Sequence, residues 1–479
     1  MTVSNISASR LSSLLGPAAA GSPAYLGIAD AVRLLIVDGR IPFGSRLPSE
    51  RDLTTALGLS RTTVTRAYGE LRDRGYLISR RGSGSLAALP GETSRRLAGP
   101  LTPGEPVDGK LDLTLAALPA PPGTAAAFAS AIEDLPGYLT GTGYHPLGVE
   151  ALRRAIALRF NERGVPTDPD QIIVTAGALS SMALVAATFL KPGDRVVMDT
   201  PTYPNTLSAL RMVGARVVGV GLEPTGWDIE ALESTMRQLK PALSVLIPDF
   251  HNPIGCLMPD EQRARVARSW SRSGTVGVID ETLVDLPAEG DLPIPLPMAA
   301  HDSQIITVGS ASKTFWGGLR IGWIRAEPDQ VARLSVSRLA RDLGAPVLEQ
   351  LVLVHLMRDR EQIIAHQLQQ VHQARSFLVD SLRTALPDWV VHQPAGGLSL
   401  WCELPEPLSG ALVAAAESRD LLLGAGPRFA VDGLLERYLR LTCTQHPDTL
   451  KDAVARLAVA WEDAKVNRTA RSPRSHLVA

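Results

Sequence analysis

The fold of most of this chain is decided by the stretch Gly309-Ser310-Ala311-Ser312-Lys313-Thr314-Phe315-Trp316-Gly317-Gly318-Leu319-Arg320-Ile321-Gly322. An apolar run, Ile305–Val308, precedes it and predicts a short β strand. Small hydroxyl residues come directly before Lys313, and Arg320 follows it by seven positions. Hydroxyls and a fork-shaped guanidinium bind phosphate, whereas a shielded lysine amine attacks an aldehyde. The stretch therefore predicts a Schiff-base lysine beside a phosphate group.

Other segments supply the remaining groups that a pyridoxal phosphate (PLP) site needs. Asp280 ends an apolar strand, Val276–Ile279, where side chains point into an α/β crevice, and it can keep a pyridine nitrogen protonated. Asn252 can donate a hydrogen bond to the ring oxygen, and Tyr203 can cover the face of the ring. The segment Thr175-Ala176-Gly177-Ala178-Leu179 joins a strand to a helix, so its free N–H groups can bind phosphate.

Each of these residues also has a plain structural interpretation: Asp280 as a helix cap, Tyr203 as a core aromatic, and Asn252-Pro253 as a turn. Together they resemble the fold-type-I aminotransferases over about residues 110–462. The resemblance implies PLP as the cofactor, a homodimer in which Tyr144 binds phosphate in the partner subunit's site, and Arg440 as the ligand of an α-carboxylate. The predicted cofactor-binding residues are Tyr144, Gly177, Ala178, Leu179, Tyr203, Asn252, Asp280, Ser310, Ser312, Lys313 and Arg320.

Thr282 is a departure from that family pattern. Related sequences often carry a tyrosine two residues after the pyridine aspartate, where its hydroxyl binds the ring oxygen. Threonine is shorter and does not span the same gap. We therefore expect PLP binding to survive here, and efficient transamination to be in doubt.

Between Lys110 and about Pro287, apolar strand-like runs alternate with helical patterns, as is typical of an α/β fold. The uncharged run Ile172–Leu190 is long enough for a membrane helix, but its glycine and hydroxyl residues favour a strand, a turn and a helix. Residues 345–465, approximately, predict a smaller α+β lobe. The predicted strands are Ile172–Thr175, Arg195–Met198, Arg216–Val220, Ser244–Ile247, Val276–Ile279, Leu398–Leu404 and Tyr438–Thr442.

The N-terminal region differs in charge from the rest of the chain. Residues 22–90 contain ten arginines, no lysine and six acids, a net +4, whereas the whole chain has −1. The pattern predicts a helix, then a second helix capped by Ser49, then a third capped by Ser60 and running to about Gly75. Two strands, Tyr76–Ser79 and Ser85–Ala88, complete a winged helix-turn-helix.

The motifs LPSERDL, LSRTTVTRAYGELRDRGYL and RRGSG resemble the GntR-type winged helix-turn-helix over about residues 23–88. In such a domain the second helix of the helix-turn-helix contacts base edges, and arginine pairs with guanine. The resemblance implies DNA contacts at Arg51, Arg61, Thr62, Thr63, Thr65, Arg81 and Gly82. The helix N-terminus and the local charge add Ser60, Arg66 and Arg80, and for the two arginines a solvated surface role is the alternative.

The expected organisation is a flexible segment at 1–20 that contains one short helix around Ile6–Leu15, the DNA-binding head at 21–89, a Pro- and Gly-rich linker at 90–109, the aminotransferase-like domain at 110–465, and a flexible tail at 466–479. Cys256, Cys402 and Cys443 are scattered without metal-ligand spacing, so we expect no metal site and no disulfide framework. The N-terminus has no apolar signal-peptide core. These features favour a reducing cytoplasm, with no membrane attachment.

A GntR-type head joined to an aminotransferase-like domain is the layout of the MocR subfamily of bacterial regulators. This resemblance covers about residues 23–462 and implies a homodimer that binds a DNA operator and senses PLP, an amine or an amino acid. Two alternatives stay open: an active aminotransferase with an appended DNA-binding head, and a regulator that has lost PLP. The sequence does not distinguish an activator from a repressor.

Overall fold

The computed structural model describes residues 5–16, 23–37, 41, 45–80, 84–88, 110–289 and 294–469. Its α-helices are α1 (Ala8–Leu15), α2 (Ala24–Val37), α3 (Glu50–Leu57), α4 (Arg61–Asp73), α5 (Thr124–Asp134), α6 (Pro136–Leu139), α7 (Glu150–Glu162), α8 (Ala178–Phe189), α9 (Pro204–Met212), α10 (Ile229–Leu239), α11 (Asp260–Ser273), α12 (Pro328–Leu339), α13 (Val347–Arg358), α14 (Arg360–Ala385), α15 (Ser409–Glu417) and α16 (Pro447–Thr469). Its strands are β1 (Leu77–Arg80), β2 (Gly84–Ala87), β3 (Leu111–Asp112), β4 (Ile172–Thr175), β5 (Arg195–Thr200), β6 (Arg216–Glu223), β7 (Gly226–Trp227), β8 (Leu243–Leu246), β9 (Val276–Asp280), β10 (Ile306–Ser310), β11 (Gly322–Arg325), β12 (Val390–Val391), β13 (Ser399–Glu403), β14 (Leu421–Leu422), β15 (Gly424–Ala425) and β16 (Tyr438–Thr442).

The N-terminal head is built from α1–α4 and the antiparallel pair β1–β2. Both predicted N-caps are present, because Ser49 Oγ accepts from the Asp52 amide and Ser60 Oγ accepts from the Thr63 amide, each at 3.1 Å. These bonds satisfy amides that the helix itself leaves free. The two caps therefore set where α3 and α4 begin, and α4 is the predicted recognition helix.

Helix α1 corrects one boundary that the sequence predicts. It forms within the expected helical stretch, and Leu11 and Leu15 are 0% and 3% exposed in the core of the head. The amide of Ile6 also donates to the Arg46 carbonyl at 3.0 Å. Because leucines four residues apart lie on one helix face, α1 is fixed to the head, and the prediction of a flexible segment is wrong for residues 8–15.

An eight-stranded mixed sheet forms the centre of the large domain, in the order β4-β11-β10-β9-β8-β5-β6-β7. Its middle strands are parallel and almost entirely buried, which explains why they appear in the sequence as short apolar runs. The predicted division of residues 172–190 into strand, turn and helix is observed as β4 and α8. None of the helices within the described ranges is both long and apolar enough to cross a membrane.

The small lobe contains the antiparallel sheet β12-β13-β16-β15, covered by α14, α15 and α16. A separate parallel pair, β3 with β14, attaches the first described residues after the linker to this lobe. Helix α16 extends to Thr469, so the predicted tail begins four residues inside a helix. The α+β character of the lobe agrees with the sequence-based expectation.

The buried position of α1 predicts that Leu11→Ala destabilises the head. Removing a fully buried leucine side chain costs about 2–5 kcal/mol. Native-state hydrogen exchange of the α3 and α4 amides in the full chain measures this loss. Ser13→Ala, on the exposed face of the same helix, is the matched control. Equal amide protection in the two variants would show that α1 is not part of the folded head.

Candidate functional site

Lys313 lies on a single π-helical turn, Ser312–Trp316, that follows β10 directly. Such turns interrupt regular hydrogen bonding and occur often at functional sites. The Lys313 Nζ atom donates to the carbonyl of Ala116 at 2.6 Å. Burial, followed by the neighbouring charge of Arg440, lowers the pKa of Lys313 to about 8, while the Asp280 carboxylate acts in the opposite direction. The amine is therefore neutral at a lower pH than an ordinary lysine, as a nucleophile requires.

A buried ionic contact holds the turn that carries Lys313. The Thr314 hydroxyl donates to Asp285 Oδ2 at 2.8 Å, and Arg159 Nη2 donates to Asp285 Oδ1 at 2.5 Å. The sequence analysis did not identify this contact, because Arg159 is 126 residues away from Asp285 along the chain. It fixes the backbone next to the lysine from the side of α7.

Asp280 lies at the carboxyl end of β9, beside β10 in parallel register. Burial raises the pKa of Asp280, and hydrogen bonds from Thr282 together with the charge of Lys313 oppose that rise. The amide of Thr282 donates to Asp280 Oδ1 at 2.9 Å. Since a backbone amide is available from any residue except proline, threonine at this position still orients the carboxylate.

Arg440 joins the same cleft from β16 in the small lobe. Its Nη1 atom donates to Asn252 Oδ1 at 3.1 Å, and its guanidinium carbon lies 4.8 Å from the ring centroid of Phe429. The residue is 1% exposed, and burial lowers the pKa of Arg440 to about 10. Tyr203 packs against the apolar cluster that contains Phe429. Burial raises the pKa of Tyr203, the Asp280 carboxylate raises it further, and the charge of Arg440 opposes that rise. The structure therefore brings Asn252 and Tyr203 together with Arg440.

At the N-terminus of α8, the backbone and the Arg320 side chain approach each other closely and form a concave site, here called the cradle. Gly177 has a φ of 103°, and a Cβ there would lie 2.8 Å from Arg320 Nη2. A Cβ at Gly322 would lie 2.5 Å from the carbonyl carbon of Gly177. Arg320 Nη2 donates to the Ala176 carbonyl at 3.0 Å, so its guanidinium lies beside the first turn of α8.

Two serines complete the cradle. Ser310 Oγ donates to Ser312 Oγ at 2.9 Å at the end of β10. The first turn of α8, at Ala178 and Leu179, contains N–H groups that point away from the helix. Helix N–H groups, hydroxyls and a guanidinium are the donors that bind phosphate, so the residues present fit the phosphate of PLP. When bound there, PLP would supply an aldehyde carbon that can form a bond to an amine.

Tyr144 is not brought into this cleft within one chain. It lies on the loop between α6 and α7 and is 64% exposed. The prediction that Tyr144 acts in the partner subunit's site therefore stays a prediction.

Residues 110–116 form a segment, here called the strap, whose backbone carbonyls meet the two cations of the cleft. Lys313 donates to the Ala116 carbonyl, and Arg440 Nη2 donates to the Thr114 carbonyl. The Thr444 hydroxyl donates to the Leu115 carbonyl at 3.0 Å. Sequence reasoning missed the strap, because carbonyl acceptors occur at every residue and leave no side-chain signal.

The predicted DNA-contacting residues that the structure describes on α3 and α4 lie at the surface of the head. Arg51, Arg61 and Thr62 are exposed near the N-termini of α3 and α4. Thr65 Oγ1 donates to Glu50 Oε2 at 2.7 Å, and the guanidinium carbon of Arg66 lies 4.0 Å from the ring centroid of Tyr25.

Two other groups of predicted DNA contacts differ from these exposed residues. Thr63 and Ser60 belong to the N-cap of α4, where their hydroxyl oxygens lie 2.8 Å apart. Of the wing residues, only the backbone of Arg80 belongs to the described residues, and its side chain, Arg81 and Gly82 lie outside them.

Comparison with known proteins identifies both parts of the chain. Residues 126–457 match the family described as aminotransferase class I and II, and residues 24–86 match the bacterial regulatory proteins of the gntR family. The chain is similar to the "Uncharacterized HTH-type transcriptional regulator YdcR" of Escherichia coli K12, with 28% identity over 90% of this chain and 98% of that protein. It is also similar to the "Probable rhizopine catabolism regulatory protein MocR" of Rhizobium meliloti, with 31% identity over 64% of this chain and 66% of that protein.

Among solved structures, LysN has a similar fold. This α-aminoadipate aminotransferase from Thermus thermophilus, complexed with N-(5'-phosphopyridoxyl)-L-leucine, has a TM-score of 0.68 and 26% identity. The match covers 75% of this chain and 94% of LysN. The chain belongs to the aminotransferase class I and II family and, with its gntR-type head, to the MocR subfamily of transcriptional regulators. The predictions of the fold class and of PLP as cofactor are confirmed, whereas the roles of individual site residues stay predictions.

The lowered pKa of Lys313 predicts how PLP attachment depends on pH. Because the neutral amine is the nucleophile, the attachment rate should rise about tenfold per pH unit below pH 8 and level off above it. Visible absorbance after mixing with PLP measures this rate, and Lys313→Ala should show no covalent attachment. A midpoint near 10.5, the ordinary value of a lysine, would contradict the assignment.

Proposed function

We propose that this transcriptional regulator holds PLP on Lys313, and that PLP or an amine or amino acid bound in the same cleft changes the affinity of the head for its operator. The observation that carries this proposal is the convergence of Lys313, Asp280, Asn252 and Arg440 in one cleft of a chain that begins with a DNA-binding head. Catalysis alone would give no reason for that head.

The residues of the cleft have distinct roles in this proposal. Lys313 forms the covalent bond, and Asp280 keeps the pyridine nitrogen protonated. Asn252 binds the ring oxygen and Tyr203 covers the ring face. The phosphate is bound by a cradle that comprises Gly177, Ala178, Leu179, Ser310, Ser312 and Arg320, together with Tyr144 of a second copy of the chain.

Arg440 gives the cleft a preference for carboxylates. Its guanidinium is buried and already makes charge-assisted hydrogen bonds. A carboxylate can accept two parallel bonds from such a group, which a neutral ligand cannot do. An amino acid would therefore use Arg440 for its carboxylate and the neighbourhood of Lys313 for its amine.

Regulation requires that the ligand binds two conformations of the protein with different affinity. The test is to select an operator from a random duplex library with the full-length protein and to measure its affinity with and without PLP. A panel of amines and amino acids is then added together with PLP. We expect at least one ligand to change the affinity about 5–150-fold, the usual range of allosteric coupling. Constant affinity across the panel, with PLP binding verified by absorbance, would refute regulation through the cleft.

In the head, we propose that Arg51, Ser60, Arg61, Thr62, Thr63, Thr65 and Arg66 contact DNA, together with Arg80, Arg81 and Gly82 of the wing. Arg61 stands at the first position of α4, where a side chain reaches base edges in a helix-turn-helix. Arg66 and Thr65 already have partners within the head, and we propose that they contact the DNA backbone and not base edges.

Arg61→Ala should weaken operator binding by about 1–3 kcal/mol and relax the base preference at one position, if Arg61 pairs with a guanine. Arg154→Ala, which removes an exposed arginine from the large domain, controls for the change in net charge. The measurement is operator affinity for single-base variants of the selected site. The same base profile in Arg61→Ala and in wild type would remove Arg61 from base recognition.

A second candidate function is transamination, since the lysine, the aspartate and the carboxylate-binding arginine are all present in one cleft. The similar regulator YdcR, which matches nearly end to end, favours the regulatory function. Multiple-turnover conversion of an amino acid by the purified protein would establish the enzyme, and a single half-reaction would not.

A further inference from the structure

We propose that the strap, residues 110–116, is displaced when a ligand occupies the cleft and so carries the state of the cleft to the DNA-binding head. This inference rests on the proposed function, in which ligands of the Lys313 cleft regulate DNA binding. It goes beyond that function by naming the segment that moves and the class of ligand that displaces this segment furthest.

The strap competes with ligands for both cations of the cleft. Lys313 Nζ donates to the Ala116 carbonyl at 2.6 Å, and Arg440 donates to the Thr114 carbonyl. When the neutral lysine amine condenses with an aldehyde, a C=N bond forms and water leaves with the aldehyde oxygen. The nitrogen then carries at most one hydrogen, so the donor to Ala116 is lost or redirected. A ligand carboxylate on Arg440 likewise competes with the Thr114 carbonyl.

The N-terminal end of the strap is tied to the small lobe by contacts outside the cleft. The Leu111 amide donates to the Asp420 carbonyl at 2.8 Å, and the Leu113 amide donates to the Leu422 carbonyl at 3.0 Å. These bonds form the β3–β14 ladder. One end of the strap is thus held by cations that ligands use, and the other end is held by the β3–β14 ladder. Displacement of the first end therefore acts on the ladder.

A continuous series of contacts leads from that ladder to the recognition helix. Strand β14 contacts α15, and α15 lies against α2 of the head. Helix α2 packs on α4, where Arg66 lies over the ring of Tyr25 from α2. In sequence, residue 110 also follows directly on the linker that leads from the head. The strap therefore meets the head by both a packed and a covalent route.

The two anchors distinguish classes of ligand. An amine that takes the aldehyde carbon from Lys313 forms the new C=N bond and releases Lys313 as a free amine, which can donate to Ala116 again. Such an amine also leaves the Arg440 bond to Thr114 intact. An amino acid releases Lys313 in the same way, but its carboxylate competes with Thr114 for Arg440. We therefore expect an amino acid to displace the strap further than the amine that differs from it only by loss of the carboxylate.

Hydrogen exchange of the full-length protein tests the displacement. The probes are PLP alone, PLP with L-alanine and PLP with ethylamine, and absorbance verifies binding. The Leu113 and Thr114 amides should exchange about fivefold faster with PLP, the factor that corresponds to loss of one hydrogen bond of ~1 kcal/mol. L-alanine should keep the exchange fast, because its carboxylate takes Arg440 from Thr114. Ethylamine should return the exchange towards its rate without PLP, because it releases the Lys313 amine and brings no carboxylate. If exchange at these amides is unchanged with PLP bound, the proposal that the strap is displaced is wrong, whereas the proposed regulation by ligands is not contradicted.

A double variant, Thr444→Val with Gln445→Ala, tests transmission to DNA. It removes two side-chain donors to the strap, to the carbonyls of Leu115 and Asp112, and spares every residue assigned to the ligand. Thr384→Val, an exposed hydroxyl that bonds only within its own helix, is the matched control. PLP affinity should stay within about twofold of wild type in both, while the ligand-induced change in operator affinity should fall about fivefold or more in the double variant.

The outcomes separate the two proposals. If the double variant binds PLP and responds to ligands as wild type does, only the proposal that the strap transmits the signal is overturned. If wild-type exchange at the strap rises with ligand but operator affinity never changes, the regulatory function fails while strap displacement stands.

Discussion

The architecture of the cleft depends on the burial of a few ionisable side chains, which are shielded there from water. Lys313, Asp280 and Arg440 are each partly or wholly buried, and burial shifts the pKa of each toward its neutral form. Their mutual attraction and repulsion offset only part of this cost. Incompletely compensated groups of this kind are reactive toward ligands, because a ligand can supply the bond or charge that the protein leaves unsatisfied. The strap supplies weaker substitutes, two backbone carbonyls.

The sheet explains why these groups meet. Strands β4, β5, β8, β9 and β10 run in the same direction, so the residues that follow their carboxyl ends share one edge. The cradle at α8 follows β4, Tyr203 follows β5, Asn252 follows β8, and Lys313 follows β10. The close approach of Gly322 to Gly177 shows how tightly β11 packs beside that edge, since a single Cβ at Gly322 would collide with backbone. Arg440 reaches the same place from the small lobe, and the cleft is therefore shared between two parts of the domain.

Much of this arrangement could be predicted from local sequence. The N-caps at Ser49 and Ser60 were predictable because a short hydroxyl side chain binds amides only three residues away. The strand β4 was predictable to its last residue, because all four of its residues are buried and such a strand is a short apolar run bounded by turn residues. Helix α1 was predicted as a helix but not as part of the core, since the partner of Leu11 and Leu15 is the head's own core and cannot be inferred from the local sequence.

By itself, the sequence determined the two-part nature of the protein and led to the predicted roles of Lys313 and Asp280, because those depend on short motifs whose chemistry is local. Only the tertiary structure decided what surrounds them. Asp285 meets Thr314 and Arg159, Arg440 meets Asn252, and the strap crosses the cleft, through contacts between residues from 29 to 326 positions apart. Contacts over such distances arise where strands and lobes cross in the folded domain. Every residue has a backbone carbonyl, so the sequence does not show which carbonyls will accept a hydrogen bond from a buried cation.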